Sequence, residues 1–381
     1  MRKRILAGLT SRQFLARHWQ KTPLLIRQAI PGFEGPLIRR EILRLAASDE
    51  LESRLVTRMG RHWELQHGPV PRRRFAGLPL RNWTVLVQGL NHTSTEADAL
   101  LRHFDFIPHA RLDDVMVSYA VPGGGVGPHV DSYDVFLLQG RGRRRWQISM
   151  QQDLALRPGL PLGILRNFRP EQEWVLEPGD MLYLPPGCSH DGVALTECFT
   201  YSIGFRAATH QELGERFLDH LRDSLSVAGR IADPDLRPTA SPGRLPAAMV
   251  TQAAAALCSV HWNRERVANF LACDLTEPKP HVVFHAPQRP LGSRRYAAAL
   301  RESGVVLDRR SLMLYTGERC YLNGEPVDLP QGRAAGMRLL KRLADKRRLG
   351  PVEGTIPPPL LRLLYSWYLS GFVHPDVATH P

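Results

Sequence analysis

The stretch LEPGDMLYLPPGCSH, residues 176–190, contains two tight turns separated by a short apolar run. The first turn lies at residues 178–180 and the second at 185–187, because proline fixes φ and glycine tolerates the backbone angles that turns require. The run between them reads as a buried strand. This strand delivers the chain to His190.

The surrounding region, residues 113–206, is the most strand-like part of the chain. It contains the runs DDVMVSYAV, YDVFLLQG, RRRWQIS and FTYSIGFRA, separated by Gly/Pro turns. Many short strands at this spacing predict a sandwich or a barrel. Together with the two turns, they indicate a cupin-like jelly roll, that is, a double-stranded β-helix.

The chain of 381 residues is long enough for two or three domains. We predict a β-domain over residues 1–207 and a helical region over 208–276, which either packs on the barrel or pairs with a second copy in a homodimer. A C-terminal winged-helix-like domain is predicted over 277–381, with Asn323-Gly324 as a hairpin turn. The fold class is therefore mixed α and β.

The composition limits the cellular setting and the partners. The formal net charge of +13 favours an anionic partner such as RNA or a ribosome-like particle, although Arg-rich sequences also arise in GC-biased genomes. The five cysteines show no CxxC pair, so we expect neither a disulfide framework nor a zinc knuckle. The sequence shows no complete signal-peptide core and no run of about 20 apolar residues. We expect a cytoplasmic protein without a membrane partner.

Two histidines and one carboxylate indicate a metal site. His129 and Asp131 are one residue apart, so in an extended segment both side chains leave the same face. With His190 they form the facial triad of non-haem Fe(II) oxygenases, which leaves coordination positions open. A structural zinc site would need a fourth ligand, and magnesium or calcium would need more oxygen donors.

The three consecutive arginines divide between two faces of a strand. Alternation places Arg144 and Trp146 inward and Arg143 and Arg145 outward. An inward guanidinium can bind a carboxylate with two parallel hydrogen bonds. We therefore expect Arg144 to bind the distal carboxylate of 2-oxoglutarate and the two outward arginines to face solvent or RNA.

These motifs also carry a resemblance to a known family. The stretches VPGGGVGPHVDSYDVFLLQGRGRRRW, LEPGDMLYLPPGCSHDG and YSIGFRA resemble the JmjC-domain ribosomal oxygenases. The similarity is to the bacterial branch that hydroxylates an arginine of the sixteenth large-subunit ribosomal protein at its 3-position. FLARHWQKTPLLIR near the N-terminus and the order of C-terminal elements extend the resemblance over most of the chain.

The resemblance implies roles for particular residues. His129, Asp131 and His190 match the iron ligands, and Arg144 matches the basic residue that binds 2-oxoglutarate. Fe(II) is then the metal, with 2-oxoglutarate and O2 as co-substrates.

Other residues are assigned to substrate or co-substrate contacts. Asp114 and Tyr133 match positions that line the pocket for the substrate arginine, and a carboxylate with an aromatic face suits a guanidinium. Independently of the resemblance, Ser202 and Tyr119 are candidates to offer hydroxyls to the co-substrate from neighbouring strands.

The resulting expectation is a protein arginine 3-hydroxylase that acts on a large-subunit ribosomal protein, forms a homodimer and contacts ribosomal RNA weakly. One alternative is a histidyl hydroxylase of another ribosomal protein; a methyl-lysine demethylase is less favoured, because no aromatic cage can be read. The other is a non-catalytic, cupin-like nucleic-acid-binding protein. Against it, the terminal helices show no base-reading recognition helix.

Overall fold

The computed structural model describes residues 5–329, 333–352 and 356–376. Its first 207 residues contain twelve strands: β1 (Leu24–Ile26), β2 (Ser53–Met59), β3 (His62–His67), β4 (Trp83–Val87), β5 (Leu112–Ala120), β6 (His129–Val130), β7 (Val135–Gln139), β8 (Arg144–Ser149), β9 (Gln172–Leu176), β10 (Met181–Leu184), β11 (Ser189–Ala194) and β12 (Cys198–Phe205). The helices there are α1 (Ser11–Arg17), α2 (Arg39–Ala46), α3 (Arg72–Ala76) and α4 (Thr95–Arg102).

Two antiparallel sheets form the double-stranded β-helix. The larger has the order β1-β10-β7-β12-β5-β4-β2-β3, and the smaller has the order β6-β11-β8-β9. Side chains from both sheets, including Leu137, Trp146 and Leu182, meet in a shared apolar layer. The predicted jelly roll is confirmed.

Strand β7 is apolar from Val135 to Leu138 because both of its faces are covered. Leu137 points to the smaller sheet, whereas Phe136 and Leu138 point to the opposite face, where the N-terminal helices pack. Phe14 of α1 lies there with its ring centroid 5.5 Å from that of Phe136. A continuous apolar run is the expected pattern for such a strand.

The two turns of residues 178–180 and 185–187 carry the chain between the sheets. Strands β9 and β11 belong to the smaller sheet, but β10 between them belongs to the larger one. The turns are therefore corners of the β-helix rather than the loops of a hairpin. Gly179 and Gly187 have φ of +90° and +79°, which favours glycine at both corners.

The carboxylate of Asp180 stabilises the first corner. Its oxygens accept hydrogen bonds from the backbone N–H groups of Gln28 at 2.9 Å and Glu177 at 3.1 Å, and from Arg27 Nη1 at 2.6 Å. Burial alone would raise its pKa, but these donors together hold the pKa of Asp180 below its usual 3.8.

The C-terminal part contains three further helices and then a mixed module. The helices are α5 (His210–Ser224), α6 (Ala247–Cys258) and α7 (Arg264–Thr276). The module contains α8 (Ser293–Glu302), β13 (Val305–Leu307), β14 (Met313–Thr316), β15 (Arg319–Leu322), β16 (Glu325–Val327), α9 (Arg333–Lys346), β17 (Arg348–Leu349), α10 (Pro358–Leu369) and β18 (Val373–Pro375). The Asn323-Gly324 pair has φ of +52° and +92° and joins β15 to β16 as expected.

Helix α7 packs against the strands β14, β15 and β16 of this module. Thr276 at its end accepts a hydrogen bond from the backbone N–H of Gly324 at 3.0 Å. Within the described residues, every helix is too short or too polar to span a bilayer.

Substitution of Asp180 by Asn should lower the free energy of unfolding by about 1–3 kcal/mol, because an amide nitrogen replaces an acceptor among buried donors. Since folding lowers the pKa of Asp180, its stabilisation is present above pH 3.8 and is lost as the pH falls below that value. Urea unfolding at pH 7 and at pH 3 measures both effects. Asp153→Asn, at an exposed carboxylate, is the control. If the two substitutions lower the free energy of unfolding equally at pH 7, the stabilising role of the buried Asp180 carboxylate is contradicted.

Candidate active site

Antiparallel pairing of β6 with β11 brings the two predicted histidine ligands together. His129 lies directly opposite His190 in the register, and their ring centroids are 4.2 Å apart. Asp131 Oδ1 lies 3.8 Å from His129 Nε2, and its Oδ2 lies 3.7 Å from His190 Nε2. In the described part of the chain, these three residues form the cluster whose ligand atoms all lie within 4.8 Å of one another.

Backbone carbonyls orient both imidazoles. His129 Nδ1 lies 2.9 Å from the carbonyl oxygen of Gly127, and His190 Nδ1 lies 3.0 Å from that of Cys188. A proton on Nδ1 donates to each carbonyl and leaves the Nε2 lone pair aimed at the centre. Burial, together with the neighbouring His129, lowers the pKa of His190 to about 4, which favours the neutral, metal-binding form. The donor set fits Fe(II), since two imidazoles and one carboxylate leave positions open for other ligands.

The triad opens into a cavity of about 370 Å³ between the two sheets. Its floor is formed by alternate residues of β5 and β12, which pair as Ser118 with Thr200 and Met116 with Ser202. Ser118 lies four positions after Asp114 along β5, a span of about 13 Å. The cavity therefore has two distinct ends, one at Ser118 and one at Asp114.

A buried guanidinium marks the first end. Arg144 is 5% exposed and donates from Nη1 to Ser118 Oγ at 3.2 Å, while its Nε and Nη2 have no hydrogen-bond partner among the described residues. Its carbon Cζ lies 5.7 Å from the ring centroid of Trp146. An unpaired buried cation is costly, so this end of the cavity is built to receive an anion. The predicted inward and outward division of the arginines is confirmed, because Arg144 is buried whereas Arg143 is exposed and Arg145 is partly exposed.

Tyr119 does not line this cavity. The pleat of β5 points its ring to the opposite face, where its centroid lies 5.5 Å from that of Trp83 and 5.0 Å from that of Phe199. Its assignment to the co-substrate was wrong, and Ser118, one residue earlier, occupies the position beside Arg144. Counting by two from Asp114 along the strand would have identified Ser118.

Ser202 lines the cavity as predicted, but it lies one pleat closer to Asp114 than Thr200 does. Thr200 pairs with Ser118 and is therefore the hydroxyl level with Arg144. The sequence reasoning missed Thr200 because it follows the same alternation as Ser202 and neither residue has a distinctive motif.

Two carboxylates mark the second end. A β-bulge between β5 and β12 lets Asp113 and Asp114 both line the cavity, with Gly204 as their neighbour on β12. Asp114 is buried and accepts a hydrogen bond from the Gly89 backbone N–H at 2.9 Å. Burial, with the adjacent Asp113, raises its pKa to about 6. Tyr133 lines the same cavity and is 37% exposed.

Comparisons with known proteins agree with this fold and site. Residues 99–213 match the family model of the JmjC domain, 168–259 that of an AraC-like ligand binding domain, and 259–374 that of a ROXA-like winged helix. The winged-helix match thus begins ahead of the predicted boundary at 277 and includes α7. A metal triad within this β-helix defines the chain as a JmjC-domain oxygenase.

Relatives at higher identity specify the family. The chain is 34% identical over 321 residues to the ribosomal protein uL16 3-hydroxylase of Escherichia coli, covering 83% of this chain and 85% of that protein. It is 34% identical over 366 residues to a probable ribosomal oxygenase of Haemophilus influenzae, covering 90% and 87%. The structure of an Escherichia coli ribosomal oxygenase in complex with cobalt and 2-oxoglutarate superposes with a TM-score of 0.80 at 32% identity, covering 97% of this chain and 98% of that one. The chain belongs to the ribosomal oxygenases.

Replacing Arg144 by Met should weaken binding of 2-oxoglutarate about 100-fold, because two charge-assisted hydrogen bonds are lost. Arg144→Lys keeps the charge but not the planar fork, so a smaller loss is expected. Absorbance titration of the Fe(II) protein without oxygen measures both constants. Arg143→Met, at the exposed neighbour, should bind as the unsubstituted protein does, and an equal loss in this control would contradict the role of Arg144.

Proposed function

We propose that this protein is an Fe(II)- and 2-oxoglutarate-dependent hydroxylase that modifies an arginine of the large-subunit ribosomal protein uL16 at the 3-position. The observation that carries the proposal is one cavity lined by a metal triad, by a guanidinium whose Nε and Nη2 have no partner among the described residues, and by a pair of carboxylates. The name of the Escherichia coli relative, ribosomal protein uL16 3-hydroxylase, supports the substrate.

Each charged group in the cavity has a proposed task. His129, Asp131 and His190 hold Fe(II), which with 2-oxoglutarate and O2 supplies the oxidation of an unactivated C–H bond when bound. Arg144 binds the distal carboxylate of 2-oxoglutarate, assisted by the hydroxyl of Ser118, whereas the hydroxyl of Thr200 donates to Gln139 Oε1 at 3.2 Å. The protein contributes position and charge at fixed sites, since the cofactor carries the oxidation itself.

The carboxylate end selects a cationic side chain. Asp114 Oδ2 accepts from the Gly89 N–H and lies 3.9 Å from Lys279 Nζ, whereas Oδ1 has no hydrogen-bond donor among the described residues and can accept from a guanidinium. Tyr133 offers an aromatic face beside it. A neutral imidazole gains less from two carboxylates than a guanidinium does, which favours the arginyl over the histidyl hydroxylase.

The reading as a non-catalytic nucleic-acid-binding protein fits the site less well. A purely structural metal would not need an unpaired Arg144 in the same cavity. The charge of +13 instead supports a weak contact with ribosomal RNA near the protein substrate. Such a substrate also agrees with a cytoplasmic location.

The helical region supports homodimer formation. Helix α6 buries none of its side chains against the rest of the chain, although its sequence AAMVTQAAAALC is almost wholly apolar. Leu257 is 73% and Val250 is 50% exposed. An apolar helix left open in one copy favours pairing with the same surface of a second copy. We assign this role to residues 208–276, with 1–207 as the catalytic domain and 277–381 as the winged-helix-like domain.

The protein should add the mass of one oxygen to an arginine-containing uL16 peptide in the presence of Fe(II), 2-oxoglutarate and O2. Tandem mass spectrometry locates the added oxygen. His129→Ala should abolish the gain, because it removes a ligand of the triad. Oxygen found on histidine would move the assignment to the histidyl hydroxylases. Absence of both hydroxylation and succinate formation would favour the binding protein.

Substitution of Leu257 by Glu should weaken the homodimer by about 100-fold or more, because a carboxylate would be buried in an apolar interface. Sedimentation velocity over a concentration series measures the dissociation. Leu80→Glu is the matched control, since Leu80 is 88% exposed on the catalytic domain. A monomeric unsubstituted protein, or a dimer unchanged by Leu257→Glu, would contradict the interface.

A further inference from the structure

A lysine from the C-terminal half of the chain contacts the two carboxylates that line one end of the cavity. Lys279 Nζ lies 3.0 Å from Asp113 Oδ1 and 3.9 Å from Asp114 Oδ2. The lysine lies in the segment between α7 and α8, outside the β-domain. Its ammonium therefore contacts the carboxylates that we assign to the guanidinium of the substrate.

The winged-helix-like module fixes the position of this segment. Pro278 and Pro280 flank Lys279 and restrict the backbone on both sides. The Val282 N–H donates to the carbonyl of Lys279 at 2.8 Å. Just before the segment, Thr276 is hydrogen-bonded to Gly324 at the β15–β16 turn. Packing of α7 on the module therefore fixes the position of Lys279 beside Asp113.

The charge balance shows what Lys279 does to an incoming cation. Asp113 is also 3.5 Å from Arg206 Nε, so two carboxylates already face two cations. A substrate guanidinium would be a third cation in a partly buried site, where charges interact more strongly than in water. While substrate is absent, Lys279 opposes the rise in the pKa of Asp114 and so favours its charged form.

Lys279 is able to leave its position. Its side chain is 35% exposed, which gives the ammonium a path to water, and its four-carbon stem is flexible. Arg206 reaches only Asp113, not Asp114, and its Nη1 donates to the carbonyl oxygen of Leu275. Among the described residues, Lys279 is thus the cation within 4 Å of both carboxylates, and its departure leaves Asp113 with Arg206 as its remaining ion-pair partner.

We propose that Lys279 is an internal stand-in for the substrate cation, which the incoming arginine must displace from Asp113 and Asp114. This inference rests on the proposed function, because it takes the carboxylate pair as the arginine subsite. It makes Lys279 a residue that sets the affinity for a cationic side chain without touching the reacting carbon. It also gives the C-terminal module an effect on the active site.

Binding of N-acetyl-argininamide to the Fe(II) protein with 2-oxoglutarate under nitrogen tests the proposal, with isothermal titration calorimetry as the measurement. Lys279→Met should bind this compound about three- to fivefold more tightly, the scale of a partly exposed ion pair. The citrulline analogue is uncharged and should bind both proteins equally. Lys279→Arg keeps the cation and should resemble the unsubstituted protein. The KM for the uL16 peptide should fall by the same factor in Lys279→Met, with kcat unchanged.

Lys341→Met, which removes an ion pair with Glu318 within the winged-helix-like module, is the control for stability. The proposal would be overturned if Lys279→Met has the melting temperature of this control but binds N-acetyl-argininamide no more tightly than the unsubstituted protein. Equal tightening for the citrulline analogue would also overturn it, since it would show a sterically enlarged cavity. Lys279→Gln serves the same comparison if the Met variant does not fold.

The two proposals fail in different ways. If Lys279→Met binds N-acetyl-argininamide more tightly but uL16 is not hydroxylated, the role of Lys279 as a stand-in is supported and the assignment of uL16 as the substrate is refuted. Failure of N-acetyl-argininamide to bind any of these proteins would refute the subsite and the stand-in together. Hydroxylation of uL16 with a KM that Lys279→Met leaves unchanged would sustain the proposed function alone.

Discussion

The active site depends on the pairing of His129 with His190 across two short antiparallel strands. Strand β6 has only two residues, so its position is set by β11 beside it and by the corners that bring β11 into the smaller sheet. The first corner is held by the buried carboxylate of Asp180. Interactions far from the metal centre therefore determine whether its ligands meet.

The two ends of the cavity carry opposite charges, which favour one orientation of the ligands that bind there. Arg144 at one end is buried with unsatisfied donors, and Asp114 at the other is buried with a raised pKa. Burial makes both charges costly on their own, and both costs fall when ligands of opposite charge bind. In the proposed function, the same burial orients an anionic co-substrate and a cationic side chain relative to the triad.

The C-terminal half of the chain is connected to this cavity by charge as well as by packing. Helix α7 packs on the hairpin of the winged-helix-like module, and the segment after it delivers Lys279 to Asp113. The exposed apolar surface of α6 lies in the same half of the chain. If both proposals hold, α6 controls dimer formation, and Lys279 in the same half of the chain controls the affinity for the substrate.

The sequence by itself determined the strand-rich region, the triad and the inward position of Arg144. These features depend on local rules, namely turn residues, two-residue alternation and ligand chemistry, which can be read over a few neighbours. Two-residue alternation from Asp114 also predicts that Ser118, and not Tyr119, faces the cavity. Only the tertiary structure decided that a bulge brings Asp113 beside Asp114, that the two corners switch sheets, and that Lys279 reaches this pair. Bulges, sheet assignment and long-range ion pairs depend on which distant segments pack together. The periodicity of a short stretch of sequence does not determine that packing.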